Sequence, residues 1–315
     1  MSNFSLQIGD GTIKNGDPRG PNSVDLQLIR TLSDQVASGD ASMIVGGSRN
    51  EASGINSAVM GGIGNTSSAG FAVSGGQGNI AGGEASFALG AGNEAIGNAS
   101  AALGIENHAN AAGSITIGSG NVAEGISSAI INSASSATYS TAVYSTIIGG
   151  GGGLAYLPGQ LVTNPRSQYG VGGNFQVSEL LVMREVSQAP GPYASIVYTL
   201  DGLVPAPTNQ IIINSANKVW QVVSEWMIIN TSTNQVAVGK DLVVIHKVGG
   251  TVRLITSTNI SKVGDTSMTT VWNANYSAFG GVDMIVTMTP TGGSSLGTTV
   301  FRGSAKLTAT ELKSN

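Results

Sequence analysis

Asparagine recurs at Asn50, Asn65, Asn79, Asn93, Asn107 and Asn121, one step of 15 residues followed by four of 14. Three residues before each stands a glycine: Gly47, Gly62, Gly76, Gly90, Gly104 and Gly118. Two residues after each comes a small residue (Ala52, Ser67, Ala81, Ala95, Ala109, Ala123), and seven after comes Ser57, Ala72, Ser86, Ser100, Ser114 or Ser128. A fixed period of this length, filled with small residues, is the signature of a solenoid. Between each Ser or Ala and the next glycine runs a short apolar stretch such as "AVM", "FAL" or "ITI". It is too short for a capped helix and suits a brief strand. Each period therefore reads as about two short strands with Gly or Asn corners. Such a coil cannot bury its apolar side alone, so coils stack and the asparagines can form a ladder along one corner.

Composition agrees with an all-β chain. Forty-six glycines and only 10% charged residues favour turns and close backbone approach, while an apolar fraction of 41% argues against disorder. Side chains this small bury little area at about 25 cal/mol per Å², so a lone coil stack would be marginal. A homotrimer sharing buried surface around an axis is the expected remedy.

Charge and cysteine narrow the function classes. Net charge is −4, and no Lys or Arg lies between Arg49 and Arg166, which argues against a nucleic-acid groove or an anionic membrane surface there. The start "MSNFSLQIGDGTIKNGDPRG" lacks a secretory pattern, and no apolar run is long enough to span a bilayer as a helix. A chain that is neither exported nor membrane-inserted is the expectation. The chain has no cysteine, so disulfides and thiolate metal sites are excluded.

The pattern "A-x-G-x-x-S-x-A-x-G-x-x-N", as in "AIGNASAALGIEN" at 95–107, resembles the head repeats of trimeric autotransporter adhesins. Similar repeats occur in phage tail-fibre proteins. The resemblance covers about 37–132 and implies a trimeric left-handed parallel β-roll. The phage branch is expected, since the chain shows no export signal, heptad stalk or C-terminal anchor. The stretch "GDPRGPNSVDLQLIRTLSDQVASGD" at 16–40 is similar to the lead-in of phage fibres, which implies attachment to the particle. "PTNQIIINSANKVWQVVSEWMIIN" and the later "VWNANYSAFGGVDMIVTMTPTGG" are more loosely similar to C-terminal β-domains of such fibres.

The period decays after Asn121, and "GGGGG" at Gly149 to Gly153 opens a boundary. The expected domains are an attachment segment at 1–36, a roll at 37–150, a neck at 151–176 and a tip at 177–315. In the tip, "KVWQVVSEWMII" puts Trp220, Val222, Ser224, Trp226 and Ile228 on one strand face. "KDLVVIHKVGGTVRLIT" reads as a hairpin turning at Gly249 and Gly250. An antiparallel, jelly-roll-like sandwich is expected.

Signs of catalysis are sparse. His108 and His246 stand apart from other ligating residues, so no metal or cofactor is expected. Glu84, Glu94, Glu106 and Glu124 fall at different repeat positions, as a solvated face would have them, not a pair of glycosidase acids. "GAGNEAIG" lacks the lysine and the following helix of a phosphate loop. Binding is the better reading. Trp272, Asn273, Asn275, Tyr276 and Phe279 supply rings and amides of the kind that hold sugars, and are the candidate receptor contact. Singly, Trp272 and Tyr276 read better as strand-core aromatics.

The expected role is adhesive, not enzymatic. The resemblance implies a phage fibre joined to other tail or baseplate proteins through its N-terminus and to a host-surface glycan or protein elsewhere. It would be assembled in the host cytoplasm. A head fibre or capsid decoration protein, a surface adhesin fragment and a capsule-degrading spike are the alternatives.

Overall fold

The computed structural model describes residues 6–7, 18–168, 171–198, 200, 211–212, 218–248, 251–265, 268, 272–279, 283–291, 294–295 and 299–313. The fold is all-β and divides into two units, Met1–Tyr156 and Leu157–Asn315.

The first unit is a β-solenoid. Nine strands stack in parallel on its long face, beginning at Val24, Met43, Ala58, Val73, Phe87, Ala101, Ile115, Ala129 and Thr146. Leu6–Gln7 pairs in front of the first. Eight two-residue strands, from Glu51–Ala52 to Leu154–Ala155, form the short face. Register is kept from coil to coil, as in Ala88↔Ala102↔Thr116 and Ala81↔Ala95↔Ala109. Inward positions are fully buried: Ile44, Val59, Ser74, Ala88, Ala102, Thr116, Ile130 and Ile147 from one face, and the repeat's small residues from the other. Between the two faces there is room only for one short side chain from each. That is why position two after each Asn is Ala or Ser.

Three local devices turn the coil. The ladder asparagines from Asn50 to Asn107 donate from Nδ2 to carbonyls of their own and the next coil, as Asn93 does to Leu89 O at 2.9 Å and Gly104 O at 2.8 Å. Its Oδ1 accepts both the backbone N–H and the side-chain amide of the following Asn, at 3.1 and 3.0 Å for Asn107 on Asn93. The corner is thereby satisfied without water. The glycine three residues earlier has positive φ, 123° at Gly90, and a Cβ there would lie 2.0 Å from Gly104 O. Glycine is required by backbone contact as well as by dihedral. The third device is a four-residue turn such as Gly97–Ser100, closed by Ser100 N–H to Gly97 O at 3.2 Å, with Ala99 at φ 55°.

The stack extends beyond the six asparagines. Gln27 takes the ladder position at the N-terminal end: Asn50 N–H donates to its Oε1 at 2.8 Å, and its Nε2 donates to Asn50 O at 3.0 Å. Ser136 continues the ladder past Asn121, accepting Gly153 N–H at 2.9 Å. Residues from Gly20 onward form the first coil, closed by a buried Asp25 that pairs with Arg19 and Arg30. Coils therefore begin within the stretch expected to be an attachment segment.

The second unit is a sandwich of antiparallel sheets. In the larger, Leu161–Gln168, Val171–Gln188, Thr299–Lys313, Lys218–Asn230, Gln235–Val248 and Thr251–Gly264 lie side by side in that order. The hairpin of 235–248 with 251–264 has the expected register, Val248↔Thr251, and its Gly249 and Gly250 lie outside the described residues. In the smaller, Asp283–Pro290 pairs with Trp272–Phe279, Ile196–Tyr198 and Ile211–Ile212. Trp220, Val222, Ser224, Trp226 and Ile228 are all buried, as the alternation demands, whereas Gln221, Glu225 and Met227 are exposed. Trp226 lies across its cross-strand partner Gly239, where a Cβ would stand 2.2 Å from the indole.

Candidate functional site

The aromatic strand Trp272–Phe279 sits against the larger sheet. Trp272 is fully buried, stacks on Tyr193 at 5.9 Å between centroids and meets Phe301 edge-on at 5.1 Å. Its Nε1 is buried without a hydrogen-bond partner among the described residues. Tyr276 is buried and donates its hydroxyl to Asp241 Oδ2 at 2.7 Å. Asp241 is itself buried and also accepts from Trp226 Nε1 at 2.8 Å and Asn259 Nδ2 at 2.7 Å.

Trp272 and Tyr276 are therefore engaged in packing between sheets. Burial pushes the Tyr276 phenol pKa well up, and burial does the same at Tyr198, whose hydroxyl donates to Met227 O at 2.8 Å. Asn273 is half-buried and accepts from Lys262 Nζ at 2.9 Å, and Asn275 is exposed. Burial pulls the Lys262 pKa down. Phe279 pairs with Asp283, and its side chain and the Gly280–Gly281 corner lie outside the described residues. Within this set, Asn273 and Asn275 retain access to a ligand.

Elsewhere the expected chemistry stays scattered. His108 lies on a short-face strand, and its Nδ1 meets Glu94 Oε2 at 3.0 Å. Glu84, Glu106 and Glu124 are exposed on separate parts of the coil. Among the described residues no three His, Asp or Glu converge as metal ligands, and no helix is long and apolar enough to cross a membrane.

The conspicuous surface is the outer side of the long face. Register aligns Met43, Ala58, Val73, Phe87, Ala101, Ile115, Ala129 and Thr146 in one outward column, and Gly75, Leu89, Leu103, Ile117, Ile131 and Ile148 in the next, with Met60 packed beside Gly75. Neither column contains a charged residue. Met60 is 60% exposed and Ile148 46%. The short face instead presents Glu51, Thr66, Glu94 and His108 outward. The long face thus exposes an uncharged apolar stripe. Sequence periodicity contained it, but only the register shows that these residues share one side.

No protein-family model matches the chain, and no curated protein matches it. Among solved structures the chain is similar to phage tailspike proteins. One is that of Acinetobacter baumannii phage AM24, with 12% identity over 99% of this chain and 54% of that chain, at TM-score 0.27. Another is the Acinetobacter phage vB_ApiP_P1 tailspike, with 8% identity over 99% of this chain and 80% of that one, at TM-score 0.21. The chain thus spans about half the length of the first.

Proposed function

We propose that this chain is the subunit of a homotrimeric phage tail fibre or spike that adheres to a host-bacterial surface glycan. The observation that carries the reading is the charge-free outward stripe on the long face of a roll whose interior holds mostly small side chains. Self-association about that stripe removes apolar area from water that the thin interior cannot supply. The 14-residue repeat, which resembles those of adhesin heads and phage fibres, supports the same reading. Three linked copies would multiply weak contacts into avidity. In this reading the N-terminal segment joins tail or baseplate proteins of the virion. Asn273, Asn275 and their strand belong to a receptor-facing tip, with Trp272, Tyr276 and Phe279 as its frame, and no bond is cleaved.

Light scattering on the purified protein, followed by adsorption of the labelled protein to candidate host cells, tests the proposal. A mass near three times 31.6 kDa with saturable adsorption is expected. A folded monomer overturns the trimer, and a trimer that binds capsid but no host cell favours a decoration protein. Release of reducing sugar from host polysaccharide would convert the reading to a degrading spike.

A further inference from the structure

Near its N-terminal end the roll holds a cleft of about 500 Å³, lined among others by Leu32, Asp34, Arg49, Glu51, Thr66 and Gln77. One wall is the loop after the first coil, which is held in place from within. Gln35 Oε1 accepts the backbone N–H groups of Thr31 at 2.7 Å and Leu32 at 3.1 Å, and Gln27 Nε2 donates to Gln35 O at 2.7 Å. The other wall is built from successive coils.

Arg49 is the unusual member. It immediately precedes a ladder Asn and has φ 58°, a position that four later coils fill with Gly64, Gly78, Gly92 and Gly120 at φ 63° to 68°. Glu106 and Ser135 are the other departures, and both lie away from the cleft. Any residue with a Cβ in the left-handed region strains the backbone relative to glycine, so arginine here costs the roll something that glycine would not. Its guanidinium has no hydrogen-bond or ion-pair partner among the described residues. Beside it stand two carboxylates, Asp34 and Glu51, and the half-exposed aliphatic Leu32 and Ile63.

The geometry points to a binding site for an acidic saccharide. A carboxylate on the sugar takes the fork of Arg49, where planar donors match planar acceptors. Asp34 and Glu51 would repel a bare anion, and suit a ligand that also brings hydroxyl donors. Gln77 and Thr66 add neutral partners, and Leu32 and Ile63 cover the C–H face of a ring. The volume accommodates a short oligosaccharide. This inference rests on the reading that the protein engages surface glycans, and it gives that role a second site outside the tip.

Calorimetric titration of the full chain with trigalacturonate, its neutral methyl ester and sialyllactose tests it. The wild-type protein is expected to bind an acidic probe saturably, and the ester at least about tenfold more weakly. Arg49→Gly is expected to lose that binding by a similar factor while its thermal midpoint holds or rises, because glycine relaxes the backbone. Equal affinity for ester and acid, unchanged binding in Arg49→Gly, or no binding of either acidic probe overturns the site. If the last result accompanies normal adsorption to host cells, only the cleft assignment falls. If adsorption is also absent, the adhesive function falls with it.

Discussion

The hydroxyl of Tyr276 reaches from the smaller sheet of the C-terminal unit to Asp241 on the larger, 2.7 Å away. This bond ties the two layers through a buried carboxylate that Trp226 and Asn259 also serve. Tyr276→Phe removes one donor from that carboxylate and is expected to cost about 1–3 kcal/mol. Chemical denaturation followed by tryptophan fluorescence reads the change.

The same burial sets an alkaline limit. Tyr198 and Tyr276 have phenol pKa values raised in the fold, first by burial, above the ordinary value of 10.0. Their contribution is fully present below pH 10, where both states are protonated. It is lost as pH rises further, because the unfolded chain releases protons that the folded chain retains. Stability should fall by about 1.4 kcal/mol per pH unit for each tyrosine above that point. Denaturation midpoints from pH 9 to 11 should show the limb, and Tyr276→Phe should make it shallower.

Asn93→Ala deletes a side chain that serves two coils at once. It strands the carbonyls of Leu89 and Gly104 and the amide of Asn107 inside the corner. A loss of about 3 kcal/mol or more is expected, since each buried group left unmet costs about 1–3 kcal/mol. Asn93→Asp should not rescue it, because a carboxylate cannot donate to those carbonyls. Circular dichroism melts of the three proteins decide the point.

Glycines of this roll are not equivalent. Gly90→Ala drives a Cβ to 2.0 Å from Gly104 O and is expected to abolish soluble, folded protein. Gly92→Ala has φ 65° but meets nothing closer than Glu106 Cγ at 3.5 Å, so it should cost only about 1–2 kcal/mol. Ala99→Gly relieves a left-handed alanine and should be neutral or stabilising by up to about 1 kcal/mol. Expression level and melting midpoint across the set would expose any inversion of this order.

Ile117→Lys places a cation in the middle of the apolar stripe. In an isolated chain the side chain faces water, so folding should be unaffected. In a trimer the charge would be buried against sister chains. Light scattering is expected to report the mass of one chain, with an unchanged circular dichroism spectrum. A trimer that survived the substitution would move the shared interface to another face.

The coil was legible because its constraint is one-dimensional. A thin parallel stack repeats the same backbone clash and the same unmet amide every 14 residues, so Gly104 and Asn107 had to recur in register. Its ends were not legible, since Gln27 and Ser136 satisfy the ladder with other side chains and carry no periodic signal. The aromatic strand was ambiguous for a different reason. Alternation sets Trp272 and Tyr276 on one face of a strand, but whether that face meets solvent or Phe301 and Asp241 depends on a sheet formed by distant residues.

Sequence alone determined what each coil must contain, because nearest-neighbour stacking leaves only small residues inside, glycine at the contact and asparagine at the corner. Tertiary structure decided what lies side by side across coils and sheets. Long-range register gathered Leu89, Leu103 and Ile117 into one uncharged stripe, set Arg49 at the mouth of a cleft, and turned Trp272 inward. Those placements depend on pairings between residues far apart in the chain, which local spacing does not encode.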